Sequence, residues 1–137
     1  MEEFISSVVS ASEQGKRYFP DTAGGDDLSV RLKQLQELAA AETQQLVAAC
    51  GGGSCYVYDS LPFSYAYFLK NPFSSEALIE VVNAGGDTDS NGAMVGALLG
   101  ALHGTDIFPQ HLIDGLKGKE QIIDAVDRFC ERFGITK

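Results

Sequence analysis

The chain has 137 residues, 45% of them hydrophobic and 21% charged, with a formal net charge of −9. That is one domain's worth of chain, long enough to bury a core. The acidic balance opposes nucleic-acid or anionic-membrane binding, which selects Lys and Arg, and no stretch has the basic start, apolar run and small-residue cleavage site of a secretory signal.

In chain order, Phe4, Ile5, Val8, Val9 and Ala11 predict an amphipathic helix from Glu2 to about Tyr18. The segment Pro20-Asp21-Thr22-Ala23-Gly24-Gly25-Asp26-Asp27 is a loop by composition, with Asp27 a ready N-cap rather than half of a metal site. Leu28, Leu32, Leu35, Ala39, Leu46 and Val47 then predict one long helix, stopped by Gly51-Gly52-Gly53-Ser54. That glycine run reads either as a hinge or C-cap, or as a cup of backbone N–H groups for an anion, although it lacks the Gly-Lys-[Ser/Thr] ending of a P-loop.

Tyr56, Val57 and Tyr58 alternate as a short strand would, and Ser60 with Pro62 predicts a helix start running through Phe63, Ala66, Tyr67 and Leu69 to Asn71-Pro72. Tyr56 follows the glycine loop and is a candidate for stacking on a ligand ring; the alternative is half-buried core. Ser74 or Ser75 caps a helix over Leu78, Ile79, Val81 and Val82. Beyond it, Gly92, Gly96, Gly100 and Gly104 recur every fourth residue, which predicts a buried helix with one bare face for a close neighbour. Interior glycines cost about 1 kcal/mol each against alanine, a penalty packing must offset. The apolar stretch Ala93 to Leu102 is too short to span a membrane. A short helix over Leu112, Ile113 and Leu116 and a last one over Ile122, Ile123, Val126, Phe129 and Phe133 complete seven predicted helices, an all-α bundle of orthogonally packed helices read as a single domain over residues 1–137.

Chemistry concentrates at Gly85-Gly86-Asp87-Thr88-Asp89-Ser90. Two carboxylates and a hydroxyl offer the oxygen ligands that Mg²⁺, Mn²⁺ or Ca²⁺ take, behind glycines that allow close backbone approach or positive φ. Plain capping of the following helix is the competing reading. Asp87-x-Asp89-x-Asn91-Gly92 also matches the opening of an EF-hand loop, but Leu98 stands where the closing Glu belongs. Cys50, Cys55 and Cys130 are odd in number and lack zinc-module spacing, which suggests reduced thiols in a cytoplasmic protein, and His103 and His111 read as packing or surface residues.

Gly85 to Ser90 and the Gly/Ala-rich helix after it resemble the C-terminal signature of the ADP-ribosylglycohydrolase family, GGDTD-[TS] before a G-x-x-x-G-A helix. Asp59-Ser60-Leu61-Pro62, the stretch Glu76 to Asn83, and Ile107 with Pro109 follow the same order of landmarks, so the resemblance covers roughly residues 50–135. It implies an all-α fold, a binuclear Mg²⁺ or Mn²⁺ site, and hydrolysis of the bond between ADP-ribose and an arginine, serine or other acceptor. Asp87, Asp89 and Ser90 would be the C-terminal metal ligands, and Gly53, Ser54, Tyr56, Gly85 and Gly86 substrate contacts. The family's N-terminal ligand motifs and its water-activating carboxylate are missing before residue 50, so no catalytic residue is assigned. The chain is then expected to supply one half of a site, completed by a separate or missing N-terminal half. A non-catalytic ADP-ribose or metal-binding module and a vestigial helical scaffold are the alternatives.

Overall fold

A computed structural model describes residues 1–18 and 27–135, whose regular elements are all helices, with no strand among them. They divide into two compact units, residues 1–107 and 108–137. In the first, α1 (Glu2–Tyr18), α2 (Leu28–Lys33), α3 (Leu35–Ala40), α4 (Thr43–Ala49), α5 (Val57–Lys70), α6 (Glu76–Asn83) and α7 (Thr88–His103) are followed by a 3-10 turn, Gly104–Ile107.

Helix α5 is the axis. It packs against α2, α3, α6 and α7, and from Ser60 to Leu69 most of its residues are buried, as a helix apolar on nearly every side must be. Phe63, Ala66 and Tyr67 are wholly buried beside Leu32, Leu35, Leu46, Val81, Val95 and Leu99. Helix α1 meets this axis edge-on: the Phe4 ring lies 5.3 Å from Tyr65 and 5.5 Å from Phe68. The loop before α2 falls mostly on residues 19–26, outside the described residues, but Asp27 caps α2 as expected, accepting from Ser29 N–H at 2.9 Å.

Three expectations change here. The single long helix over 28–47 is three short ones. The chain turns at Gln34, and Ala41 and Glu42 are extended, with ψ of 153° and 151°. Glu42 and Gln45 then form a reciprocal capping box that starts α4. The helix expected to start at Ser60 and Pro62 begins earlier, and the weak alternation of Tyr56 to Tyr58 is no strand: Tyr56 is the N-cap of α5, its carbonyl accepting from Asp59 and Ser60 N–H at 2.8 and 2.9 Å. Pro62 therefore lies inside the helix rather than at its start. Finally, the glycine face of α7 is closely packed at Gly92 and looser at Gly96. A Cβ on Gly92 would stand 3.1 Å from Val82 Cγ2, whereas one on Gly96 would meet only Leu78 Cδ1 at 4.0 Å. Asn91, Gly92, Val95 and Leu99 are buried, and Ala93, Ala97 and Ala101 face outward, so α7 buries one stripe rather than its whole surface.

Elsewhere the local rules hold. Ser74 Oγ accepts from Glu76 N–H at 3.2 Å at the start of α6, and His103 is a packing residue, its Nε2 donating to the Pro72 carbonyl at 2.7 Å beside the Phe73 ring. The second unit consists of α8 (Gln110–Asp114) and α9 (Lys119–Phe133). Lys119 pairs with Asp114 at 2.7 Å across the turn between them. The apolar stripe that marks α9 in the sequence is exposed: Ile122, Val126, Phe129 and Phe133 are each about half or more accessible.

Acid should loosen the first unit at Asp27. Hydrogen bonds from the Lys16 ammonium and from Ser29 lower its carboxyl from 3.8 to about 2. A depressed carboxylate contributes stability above its unfolded value, about 4, and loses it as pH falls toward the folded one. Both partners are solvent-exposed, so the contribution is small and salt-sensitive. Asp27→Asn keeps the cap oxygen, and its thermal midpoint is expected to lie below wild type at neutral pH, the gap narrowing as pH drops from about 4 to about 2. A gap that stays constant over that range would contradict the assignment.

Candidate functional site

Two glycine turns meet to build the site. Gly51, Gly52 and Gly53 have φ of 55°, 74° and 66°, and Gly85 and Gly86 have φ of 88° and 75°. Such values suit glycine and strain other residues. Space decides at Gly86, where an added Cβ would run into the carbonyl oxygens of Gly52 and Gly53. The two turns are in backbone contact.

One oxygen joins them. The Gly53 carbonyl accepts from the Asp87 N–H at 2.9 Å and from the Asn91 side-chain amide at 2.8 Å. Asn91 is fully buried, and its own Oδ1 accepts from Ser64 Oγ at 3.0 Å. The start of α7 is thereby fastened both to the loop after α4 and to the middle of α5. Ser64 stands out in sequence only as a polar residue among apolar neighbours, and Asn91 is hidden at the end of the polar run Asp87 to Ser90. Asn91 instead resembles an EF-hand position, a reading the structure removes, because α7 is helical from Thr88 onward, through most of the would-be calcium loop.

The three proposed metal ligands lie together at this helix start. Asp87 occupies the N-cap position, yet its side chain makes no capping hydrogen bond. Simple capping therefore does not account for it. Asp89 Oδ1 accepts from Ser90 N–H at 3.0 Å. Its interaction with the Asp87 carboxyl, and after that the hydrogen bond from Ser90 N–H, holds the Asp89 carboxyl below the usual carboxylate range. Asp87 is half-buried and Asp89 and Ser90 are exposed, so the oxygens are accessible. Two carboxyls and a hydroxyl within one helical turn make an all-oxygen donor set, which suits a hard divalent ion. The set is partial: among the described residues no three His, Cys, Asp or Glu side chains stand together as a metal cluster.

The proposed substrate contacts fall on the same two turns and just beyond. Gly52 and Gly53 N–H donate to the carbonyls of Val47 and Cys50 at 2.8 and 2.9 Å, closing the end of α4. Two donors that an anion cup would offer are thus used by the helix end. Ser54 Oγ donates to Asp59 Oδ2 at 3.0 Å and accepts from Tyr56 N–H at 3.3 Å. Tyr56 is 52% exposed and stacks on Tyr58 with ring centroids 5.1 Å apart, leaving an aromatic face open to solvent. Of the cysteines, Cys50 is buried and Cys55 exposed, all three being free thiols. Burial pushes the Cys50 thiol up to about 11, away from reactivity.

Comparison with known proteins agrees with this architecture. The family profile described as ADP-ribosylglycohydrolase matches residues 1–136, further toward the N-terminus than the motifs alone reach, and the chain belongs to that family. It is 39% identical over 88 residues to the ADP-ribosyl-[dinitrogen reductase] glycohydrolase of Rhodospirillum rubrum, covering 62% of this chain and 30% of that protein. It is 30% identical over 135 residues to human ADP-ribosylhydrolase ARH3, covering 88% of this chain and 35% of that protein. An uncharacterised protein of Archaeoglobus fulgidus is 33% identical over 105 residues, 76% of this chain and 33% of its own. The chain thus spans about a third of the length of the curated relatives it matches. No solved structure matches it at the same stringency.

The contact between the turns yields a paired prediction. Gly86→Ala meets two carbonyl oxygens at a positive φ, whereas Gly85→Ala meets nothing within 4 Å and bears only the backbone strain. Gly86→Ala is expected to destabilise by more than about 3 kcal/mol and Gly85→Ala by about 1–2 kcal/mol, read from urea unfolding. Equal losses would show that the turns are not locked together.

Proposed function

We propose that this chain carries the C-terminal metal-ligand half of an ADP-ribosylglycohydrolase, a hydrolase that releases ADP-ribose from a modified acceptor. The observation that supports it most is the Asp87–Asp89 pair: two accessible carboxyls one residue apart, set at a helix start whose backbone is tied to the glycine loop, with the Asp87 side chain unused for capping. The family and the printed activities of the relatives supply the reaction class.

In this reading Asp87, Asp89 and the Ser90 hydroxyl hold Mg²⁺ or Mn²⁺, which when bound supplies charge neutralisation and a template for ribose hydroxyls and water. The chain's own residues do the rest of their half. The Gly53 carbonyl and Asn91 keep the carboxyls in register, Gly85 and Gly86 let the ligand approach the backbone, and Tyr56 offers a face on which a base can stack. The remaining ligands of a binuclear site and the group that activates water come from the family's N-terminal part. The alternative of a non-catalytic ADP-ribose or metal-binding module is favoured by the partial donor set. No described helix is long and apolar enough to cross a membrane, and we assign the protein to the cytoplasm, with no nucleic-acid partner, on its acidic charge and free thiols.

Two measurements test the reading. Titration calorimetry with Mn²⁺ is expected to show weak binding to the chain and none to the Asp87→Ala/Asp89→Ala double variant; equal affinity in both would end the metal assignment. The chain alone should release little ADP-ribose from an ADP-ribosylated arginine or serine substrate, because a catalytic constellation acts as a unit. Addition of a polypeptide carrying the family's N-terminal ligands should restore Mg²⁺-dependent release, and Asp87→Ala should remove it. Strong turnover by the chain by itself would refute the half-site.

A further inference from the structure

The glycine loop has a support of its own, which the reaction class does not assign. Asp59, in the first turn of α5, has a side chain only 17% exposed. Its Oδ1 accepts from Arg31 Nη1 of α2 at 3.0 Å, and its Oδ2 accepts from Ser54 Oγ of the loop, also at 3.0 Å. A carboxylate receives donors on both oxygens, which a carboxamide of the same shape does not. The loop also rests directly on this group: a Cβ on Gly51 would lie 2.7 Å from the Asp59 carboxyl carbon.

Asp59 therefore holds the loop at both ends, by contact at Gly51 and by hydrogen bond at Ser54. Between those ends lies Gly53, whose carbonyl carries the Asp87 N–H and the Asn91 amide. We propose that Asp59, oriented by Arg31, is a positioning residue that fixes the direction of the Asp87 and Asp89 carboxylates through the Gly51–Ser54 loop. The inference rests on reading those carboxylates as cation ligands. It also makes a backbone claim independent of any cation: removing the Asp59 support loosens the Asp87 N–H on Gly53. An ion pair that merely tied α2 to α5 would leave that amide unaffected when Ser54 alone is changed.

The test compares Asp59→Asn, Ser54→Ala and Ser54→Thr in the full chain, by Mn²⁺ titration and by residue-resolved amide hydrogen exchange. Asp59→Asn and Ser54→Ala are expected to weaken Mn²⁺ binding about tenfold, the usual effect of losing an outer-shell support, and to speed exchange at Asp87. Amides inside α5 at Tyr67 and Phe68 should keep wild-type rates in Ser54→Ala. Ser54→Thr keeps the hydroxyl and should restore both readouts. Should Asp59→Asn unfold, Ser54→Ala against Ser54→Thr decides alone. Wild-type exchange at Asp87 in Ser54→Ala overturns the proposal. If the wild-type chain binds no Mn²⁺, the cation reading falls, and faster exchange at Asp87 in Ser54→Ala still upholds the positioning role while unchanged exchange removes it.

Discussion

The Gly53 carbonyl is the constraint on which the site depends. One buried oxygen with two donors, the Asp87 N–H and the Asn91 amide, ties the end of α4 to the start of α7. A carbonyl has two lone pairs and loses much if buried without partners. The arrangement satisfies it twice and aligns two segments more than thirty residues apart in the chain. Glycine at 86 is the steric condition for that approach, since the carbonyls of Gly52 and Gly53 occupy the space a side chain would take.

Much of the fold was legible because helical periodicity and glycine stops are local signals. α1, α6 and α9 lie close to where apolar spacing places them, and Gly134 ends the last helix. The break of the long helix was hidden because Leu35, Ala39 and Leu46 keep a helical spacing across it. The capping box at Glu42 begins with a carboxylate rather than the usual Ser or Thr. Tyr56 to Tyr58 was weak evidence for a strand in a chain read as all-α. Three alternating residues carry no period, and Val57, 48% exposed, is the first residue of α5.

The site was legible only in its covalent neighbourhood. Asp87, Asp89 and Ser90 announce themselves as adjacent oxygen donors behind two glycines. The groups that hold them, Asn91, Ser64, Asp59 and Arg31, act across 27 to 38 residues of sequence, and spacing does not encode such contacts. The glycine run after α4 shows the same limit. Sequence left it as either a helix end or an anion cup; the structure spends two of its N–H groups on the helix end and uses its carbonyl on Asp87.

Helix α9 carries its own consequence for handling the protein. Phe129 and Phe133 lie with ring centroids 4.7 Å apart on a surface shared with Ile122 and Val126, and all four are open to water. A stripe of that width on one helix behaves like the sticky edge of an unfinished assembly. Such a stripe is expected to draw molecules together in concentrated stocks and to take up an apolar reporter dye such as anilinonaphthalene sulfonate with every helix formed. A dye signal from this chain would then report the exposed stripe of α9 and need not mean misfolding.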